Sequence, residues 1–181
     1  PGSPLDVASR EAGYCVFNAD PNVGGRYSAL TAFGLVPTGL AGVDISQLLA
    51  SAVAASPALG SDSQDNPALL LGALLARSEN GSGHKDKFLI ECDGLAGFGD
   101  WVEQLVAEST GKEDKGTLPV VVDAQAPEIS NLPSDTLLIR FGSEVSGNTD
   151  AAFHGSLGEL FLLWEYATVI AGYLQGINPF D

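Results

Sequence analysis

The sequence has no methionine, two cysteines and two histidines. Basic residues are also scarce, since eight lysines and arginines stand against 23 aspartates and glutamates, which gives a net charge of −15. A surface this negative repels phosphate backbones, so we expect no nucleic-acid partner. Cys15 and Cys92 match neither a zinc-ligand spacing nor a disulfide framework, which favours two free thiols in a reducing cytoplasm.

The features of disordered, secreted and membrane-spanning chains are missing as well. Of the 181 residues, 45% are apolar and 17% are charged, which is typical of a folded domain. No basic segment followed by an apolar one opens the sequence, so we expect no secretion signal. The most apolar stretch, residues 157–177, contains Glu159 and Glu165, and we expect a buried helix there rather than a membrane span. We therefore predict a cytoplasmic protein without a membrane partner.

The order of apolar segments predicts an α/β fold. Strands are expected at residues 14–18, 87–92, 118–122 and 136–140. Helices are expected at residues 28–35, 45–55, 68–77, 101–109 and 157–174. Pro37 and Gly39 interrupt the helical pattern after residue 35, and Asp100 is expected to cap the helix at residues 101–109. The predicted strands lack polar alternation, which is typical of strands covered on both faces. The pattern therefore predicts one three-layer domain over residues 1–181, with a mostly parallel, Rossmann-like sheet flanked by helices.

Nucleotide-binding motifs are not supported. Residues 94–99, Gly-Leu-Ala-Gly-Phe-Gly, follow a predicted strand but lack the G-x-G-x-x-G spacing. Gly111-Lys112 lacks the upstream glycine of a P-loop, and Glu113 stands where Ser or Thr is needed. We interpret these glycines as turn residues. The isolated His84 and His154 carry no ligand or catalytic pattern.

A first candidate site is Val-Gly-Gly-Arg-Tyr-Ser at residues 23–28, before a predicted helix. A glycine pair at a helix N-terminus exposes backbone N–H groups, and these favour an anion. Arg26 adds a permanent planar cation suited to a carboxylate, a phosphate or a developing enolate. A structural salt bridge explains Arg26 equally well at this point.

A second candidate is Glu108, near the end of the predicted helix that starts at Trp101. Helical spacing places Glu108 beside Trp101 and Leu105 at the edge of the apolar face, with Glu103 on the opposite side. Partial desolvation would raise the pKa of the Glu108 carboxyl group, as a general base working near neutral pH requires. The alternative is a terminal glutamate that points into water.

Three segments resemble the glucose-6-phosphate isomerase (phosphoglucose isomerase) family. Residues 23–28 resemble its V-G-G-R-Y-S signature, residues 108–112, Glu-Ser-Thr-Gly-Lys, its E-S-N-G-K segment, and residues 178–181, Asn-Pro-Phe-Asp, the start of its N-x-F-D-Q motif. Their order and approximate spacing agree from about Tyr14 onward. Residues 101–112 are most similar to actinobacterial or cyanobacterial forms. Some of these are fused to transaldolase, so a fused parent chain is one alternative.

The resemblance implies specific roles. The fold would be a sugar-isomerase (SIS) domain, and the parent enzyme would interconvert glucose 6-phosphate and fructose 6-phosphate as a homodimer. Glu108 would move a proton between C2 and C1 through a cis-enediol(ate), and Arg26 would stabilise that intermediate. Gly25, with its neighbour Gly24, would line the substrate. No metal or cofactor is implied.

The sequence also departs from the family. The family's ring-opening histidine has no counterpart between Lys112 and Gly142, and the last motif stops at Asp181. The residues that hold the sugar phosphate belong to the family's other SIS subdomain. Because the sequence also starts at Pro1 without methionine, we expect a fragment of a longer isomerase that is inactive alone. The alternatives are a non-catalytic SIS module that binds a sugar phosphate for regulation, and an isomerase with a different or broader aldose–ketose specificity.

Overall fold

Four segments of the chain pair into one parallel sheet in the computed structural model, which describes residues 1–76, 85–142 and 147–181. The strands are β1 (Lys87–Cys92), β2 (Leu118–Val121), β3 (Thr136–Phe141) and β4 (Ala151–Phe153). Their spatial order is β2-β1-β3-β4, and each neighbouring pair is parallel. The predicted α/β class and parallel sheet are therefore confirmed.

Helices flank this sheet and also form the first part of the chain. They are α1 (Pro4–Glu11), α2 (Ala32–Leu40), α3 (Ile45–Leu59), α4 (Pro67–Ala76), α5 (Phe98–Thr110), α6 (Pro127–Ser130) and α7 (Leu157–Gln175), with a 3₁₀ turn at Gly25–Tyr27. The bounds of α7 have a local cause, because Ser156 and Glu159 form a capping box and Gly176 ends the helix at φ 68°.

The main core lies on one face of the sheet. Phe88 and Ile90 of β1 are fully buried there, in register with Leu137 and Ile139 of β3. Trp164 of α7 stacks on Phe88 with ring centroids 5.9 Å apart. The apolar runs at residues 87–92 and 136–141 thus form the two central strands because their side chains are buried against helices.

The outer face of the sheet is covered less evenly. Leu89 and Leu138 are buried, and beyond them Glu91 and Arg140 form an ion pair of 2.9 Å. On β2, however, Leu118 is 54% exposed and Val120 is 38% exposed. The expectation that every strand is covered on both faces is therefore wrong for β2, which lies at the edge of the sheet.

Several predicted boundaries are corrected by the structure. Residues 14–18 form no strand, because Tyr14 and Phe17 are exposed and none of the strands in the described ranges pairs with this segment. Helix α2 starts at Ala32 and continues through Pro37 to Leu40. Helix α5 starts at Phe98, and its cap is Gly97 at φ 77° rather than Asp100. The sequence pattern also missed α1, α6 and β4. Helix α4 agrees with its prediction up to Ala76; Arg77 lies outside the described residues.

Helix α7, with 19 residues, is the longest helix in the described part of the chain. By length and composition alone it is the one described helix that could cross a membrane, and 44% of its most apolar 18 residues are buried within the protein. It packs against α3, α4 and α5. This packing agrees with the expected core helix.

Helices α5 and α7 both end at the edge of the sheet where the strands begin. The N–H of Leu118 donates to Asp86 O at 2.7 Å, which places the start of β2 beside the start of β1. Lys115 Nζ, just after α5, donates to Gln175 O at the end of α7 at 3.0 Å. The ends of both helices therefore meet at this amino-terminal edge, where the predicted site residues lie.

Candidate active site

The glycine pair at Gly24 and Gly25 begins a single 3₁₀ turn. We expected the N-terminus of an α-helix, but α2 begins only at Ala32. Gly24 has φ −64°, a value that any residue adopts, so these glycines are not needed for a left-handed backbone. What they provide is space. A Cβ on Gly25 would meet nothing within 4 Å, and one on Gly24 would lie 3.9 Å from Arg26 Nη1.

The guanidinium of Arg26 is held on two sides. Its Nε donates to Ser109 Oγ at 2.9 Å, and its Nη2 donates to Pro179 O at 2.7 Å and to Asp181 O at 3.1 Å. The Arg26 side chain is only 12% exposed. These contacts explain why a cation is buried here, and they leave Nη1 facing Glu108.

Glu108 lies in the last turn of α5 opposite this Nη1 atom. Its Oε2 is 3.6 Å from Arg26 Nη1, and its Oε1 accepts a hydrogen bond from Gln104 Nε2 at 3.0 Å. The structure therefore brings together the two candidate residues that the sequence singled out. The Glu108 side chain is, however, 51% exposed, so the desolvated setting expected from helical spacing is not present. Trp101 and Leu105 cover the core side of α5 and leave this carboxylate open to solvent.

Ser109 and Tyr27 complete the surroundings of Arg26. Ser109 is fully buried, and its hydroxyl oxygen also accepts a hydrogen bond from Tyr27 Oη at 3.0 Å. The Tyr27 ring lies 5.6 Å from the Arg26 guanidinium carbon and contacts the Phe180 ring at a centroid distance of 5.2 Å. The sequence motifs by themselves indicate no role for Ser109 or Tyr27. The available signal was their position, since each directly follows a candidate residue.

The electrostatics of this edge favour cations. The partial negative charge at the C-terminal ends of α5 and α7 attracts positive groups. Arg26 and Lys112 both lie there, and Lys112 Nζ donates to Asn178 O at 2.8 Å. Two cations are therefore held at this edge, with the Glu108 carboxylate beside Arg26.

Two groups near Arg26 have shifted pKa values. Burial raises the pKa of the Tyr27 hydroxyl, partly opposed by the hydrogen bond to Ser109 and by the Arg26 charge. Burial also raises the pKa of Glu165, on α7, to about 7. Glu165 Oε1 is buried and has no hydrogen-bond partner among the described residues.

His154 lies at the opposite edge of the sheet. It follows β4 and lines a crevice of about 450 Å³ together with Asp93, Gly94 and Gly142. This crevice is at the carboxyl ends of the strands, whereas Glu108 and Arg26 are at the amino ends. The structure therefore does not bring His154 to the candidate site. His84 lies outside the described residues.

The parallel sheet flanked by helices is consistent with an α/β domain of the sugar-isomerase (SIS) type. Comparison with known proteins then finds similarity to glucose-6-phosphate isomerases. The chain is 28% identical to "Glucose-6-phosphate isomerase" of Listeria monocytogenes over 232 aligned positions, which cover 98% of this chain and 52% of that protein. It is 29% identical to the protein of the same name from Heliobacterium modesticaldum, covering 94% of this chain and 51% of that protein.

A third relative, "Probable glucose-6-phosphate isomerase" of Methanococcus maripaludis, is 27% identical over 99% of this chain and 52% of its own length. No family model matches the chain. The similarity confirms the resemblance seen in the three sequence motifs. The chain spans about half the length of the curated relatives it matches.

Proposed function

We propose that this chain supplies the general base and the charge-stabilising arginine of an aldose–ketose isomerase acting on glucose 6-phosphate and fructose 6-phosphate. The observation that carries the proposal is the 3.6 Å approach of Arg26 Nη1 to Glu108 Oε2. Each residue comes from a different segment that resembles a motif of the isomerase family. The names of the curated relatives support the same activity.

In this mechanism Glu108 acts on the open-chain sugar. Its carboxylate takes the proton from C2, the C1–C2 double bond forms, and the electron pair of the former carbonyl bond moves to its oxygen. The proton of the C2 hydroxyl then passes to the C1 oxygen, the carboxylic acid returns its proton to C1, and the electron pair on the C2 oxygen forms the carbonyl at C2. The half-exposed position of Glu108 leaves the carboxylate open to a substrate.

Arg26 stabilises the oxygen that becomes negative. A guanidinium remains protonated at any physiological pH, so it acts as a fixed positive charge rather than as a proton donor. The distance of 3.6 Å between Nη1 and Oε2 is longer than a normal hydrogen bond, so both atoms keep capacity for a substrate oxygen. The open space before Gly24 and Gly25 gives access to this position.

The test uses an isomerase of the relatives' length that contains this chain. It compares Glu108→Gln with the control Glu103→Gln, which changes an exposed carboxylate of the same helix on the side away from the site. We expect Glu108→Gln to lower kcat by roughly 100-fold or more and Glu103→Gln to leave it within about twofold. Conversion of fructose 6-phosphate and uptake of solvent deuterium at C2 are measured. Near-normal turnover and exchange in Glu108→Gln would remove Glu108 as the base.

A second candidate is a non-catalytic module that binds a sugar phosphate for regulation. It is favoured by the hydrogen bonds that Arg26 already makes to Ser109 and Pro179, and by the exposed position of Glu108. Calorimetric binding of fructose 6-phosphate together with absent turnover in the longer protein would support this alternative. Turnover that depends on Glu108 would exclude it.

The assembly and location of the protein are part of the proposal. We expect the longer protein to be a cytoplasmic homodimer and the 181-residue chain alone to have no isomerase activity. The similarity to about half of each relative supports the second expectation. Light scattering gives the molar mass, and an assay of the purified chain tests for activity. A monomeric active enzyme or an active 181-residue chain would contradict these expectations.

A further inference from the structure

The hydroxyl group of Ser109 has an unusual setting for a serine inside a helix. A helical serine commonly bonds to a carbonyl of its own helix. Ser109 is fully buried in α5, yet its oxygen accepts hydrogen bonds from Arg26 Nε at 2.9 Å and from Tyr27 Oη at 3.0 Å. A hydroxyl oxygen has two lone pairs, and both are therefore used.

These contacts determine the direction of the Arg26 guanidinium. The group is planar, and its Nε and Nη2 edges are held by Ser109 Oγ and Pro179 O. Because two edges of the guanidinium are held, rotation about the last bonds of the Arg26 side chain would break hydrogen bonds that this charged group donates. Nη1 is the remaining nitrogen, and it lies 3.6 Å from Glu108 Oε2.

We propose that Ser109 is a positioning residue that directs Arg26 Nη1 toward Glu108, with Tyr27 holding the Ser109 oxygen. Ser109 directly follows Glu108, so the last turn of α5 carries both the carboxylate and the group that orients the arginine. The spacing of Arg26 and Glu108 is therefore set by one helical turn. The catalytic consequence rests on the proposed isomerase function, whereas the orientation of Arg26 does not.

The first experiment uses the 181-residue chain and the NMR signals of its arginine Nε–H groups. We expect the Arg26 Nε–H of the unmodified chain to exchange slowly with water, since its acceptor is buried. Ser109→Ala should speed this exchange roughly 10- to 100-fold, and Tyr27→Phe should speed it less. The control is Ser51→Ala, which removes a hydroxyl that donates to Leu48 O in α3. An unchanged Arg26 signal in Ser109→Ala would overturn the proposal.

The second experiment measures kinetics in the isomerase of the relatives' length. Ser109→Ala should lower kcat by roughly 10- to 100-fold with little change in KM, because a misdirected Arg26 weakens the transition state more than the bound substrate. Ser109→Thr keeps the hydroxyl and should recover part of the loss. Equal losses in Ser109→Ala and Ser109→Thr would argue against positioning. If Glu108→Gln retained activity, the proposed function would fail, and the NMR result on Arg26 would still stand.

Discussion

The Nη1 atom of Arg26 lies 3.6 Å from Oε2 of Glu108, and the Nε atom of the same guanidinium lies 2.9 Å from Oγ of Ser109. Arg26 is in a 3₁₀ turn near the start of the chain, and Glu108 is in the last turn of α5. The pair is at the amino-terminal edge of the parallel sheet. Ligands of open α/β sheets more often bind at the carboxyl edge. Here the ends of two helices and the loop after α7 form the site.

Replacement of Arg26 by lysine should destabilise the chain even without a substrate. Lysine has one ammonium group and cannot bond to both Ser109 Oγ and Pro179 O in the planar geometry of arginine. We expect Arg26→Lys to lower the free energy of unfolding by roughly 1 to 3 kcal/mol, measured by urea denaturation. Arg10→Lys is the control because that side chain is 54% exposed. Equal stability of both variants would contradict the structural role of Arg26.

Replacement of Gly24 by alanine should hinder access of substrate to the site without affecting folding. The backbone of Gly24 suits alanine, and the added Cβ would lie 3.9 Å from Arg26 Nη1. We expect stability to change by less than about 0.5 kcal/mol, as for surface substitutions. Isomerase activity of the longer protein should fall, because the methyl group shields Nη1 from substrate. Unchanged kcat/KM in Gly24→Ala would show that substrate does not approach on this side.

Replacement of Glu165 by glutamine should alter how stability depends on pH. The pKa of Glu165 is raised by burial from 4.5 to about 7, so between these values the folded state binds more protons than the unfolded state. The free energy of unfolding therefore falls as the pH rises through this window. A buried amide does not titrate. Glu165→Gln should therefore reduce the fall in the free energy of unfolding between pH 4.5 and 8 by on the order of 1 to 3 kcal/mol.

The control for this measurement is Glu103→Gln, which changes an exposed carboxylate on α5. Denaturation curves at several pH values give the slopes for the three proteins. The same slope in Glu165→Gln as in the unmodified chain would show that Glu165 is not the group that titrates.

Replacement of Gly72 by alanine should weaken the contact between α4 and α7. An added Cβ would lie 2.6 Å from Ile170 Cγ2 and 2.9 Å from Ala167 O, closer than real Cβ contacts. Alanine gains about 1 kcal/mol in helix propensity, but the overlap costs more. We expect a net loss of roughly 1 to 2 kcal/mol in thermal or urea unfolding. Gly39→Ala in α2 is the control, because its Cβ would lie 3.4 Å from Ile45 Cδ1. A stabilised Gly72→Ala protein would contradict this packing.

The two cysteines should differ in reactivity. Cys15 is exposed, whereas burial raises the pKa of the Cys92 thiol to about 12. At pH 8 only roughly one Cys92 in ten thousand is then the reactive thiolate. We expect one thiol to react quickly with a disulfide reagent in the native protein and two after denaturation. In Cys15→Ser the fast phase should be absent, and a remaining fast phase would show that Cys92 is accessible.

Local sequence signals were sufficient for the core of the fold. The short, largely apolar runs at residues 87–92 and 136–140 predicted strands, and β1 and β3 occupy them because both are covered by helices. The long apolar segment that became α7 has its own capping residues, Ser156 and Gly176. Residues 14–18 have strand-like composition, yet none of the four described strands pairs with them. Pairing of strands is a nonlocal property, so composition could not decide it.

At the candidate site, too, the sequence identified residues, whereas the tertiary structure determined how they are arranged. The three motifs named Arg26 and Glu108, and the sequence therefore identified the chemical groups and the family they resemble. Their separation of 3.6 Å, the burial of Arg26 and the exposure of Glu108 depend on how α5, α7 and the 3₁₀ turn meet. Helical spacing gives the direction of a side chain around its own axis but not the neighbours that cover it. For that physical reason Ser109 and Tyr27 became evident as partners of Arg26 once the chain was folded.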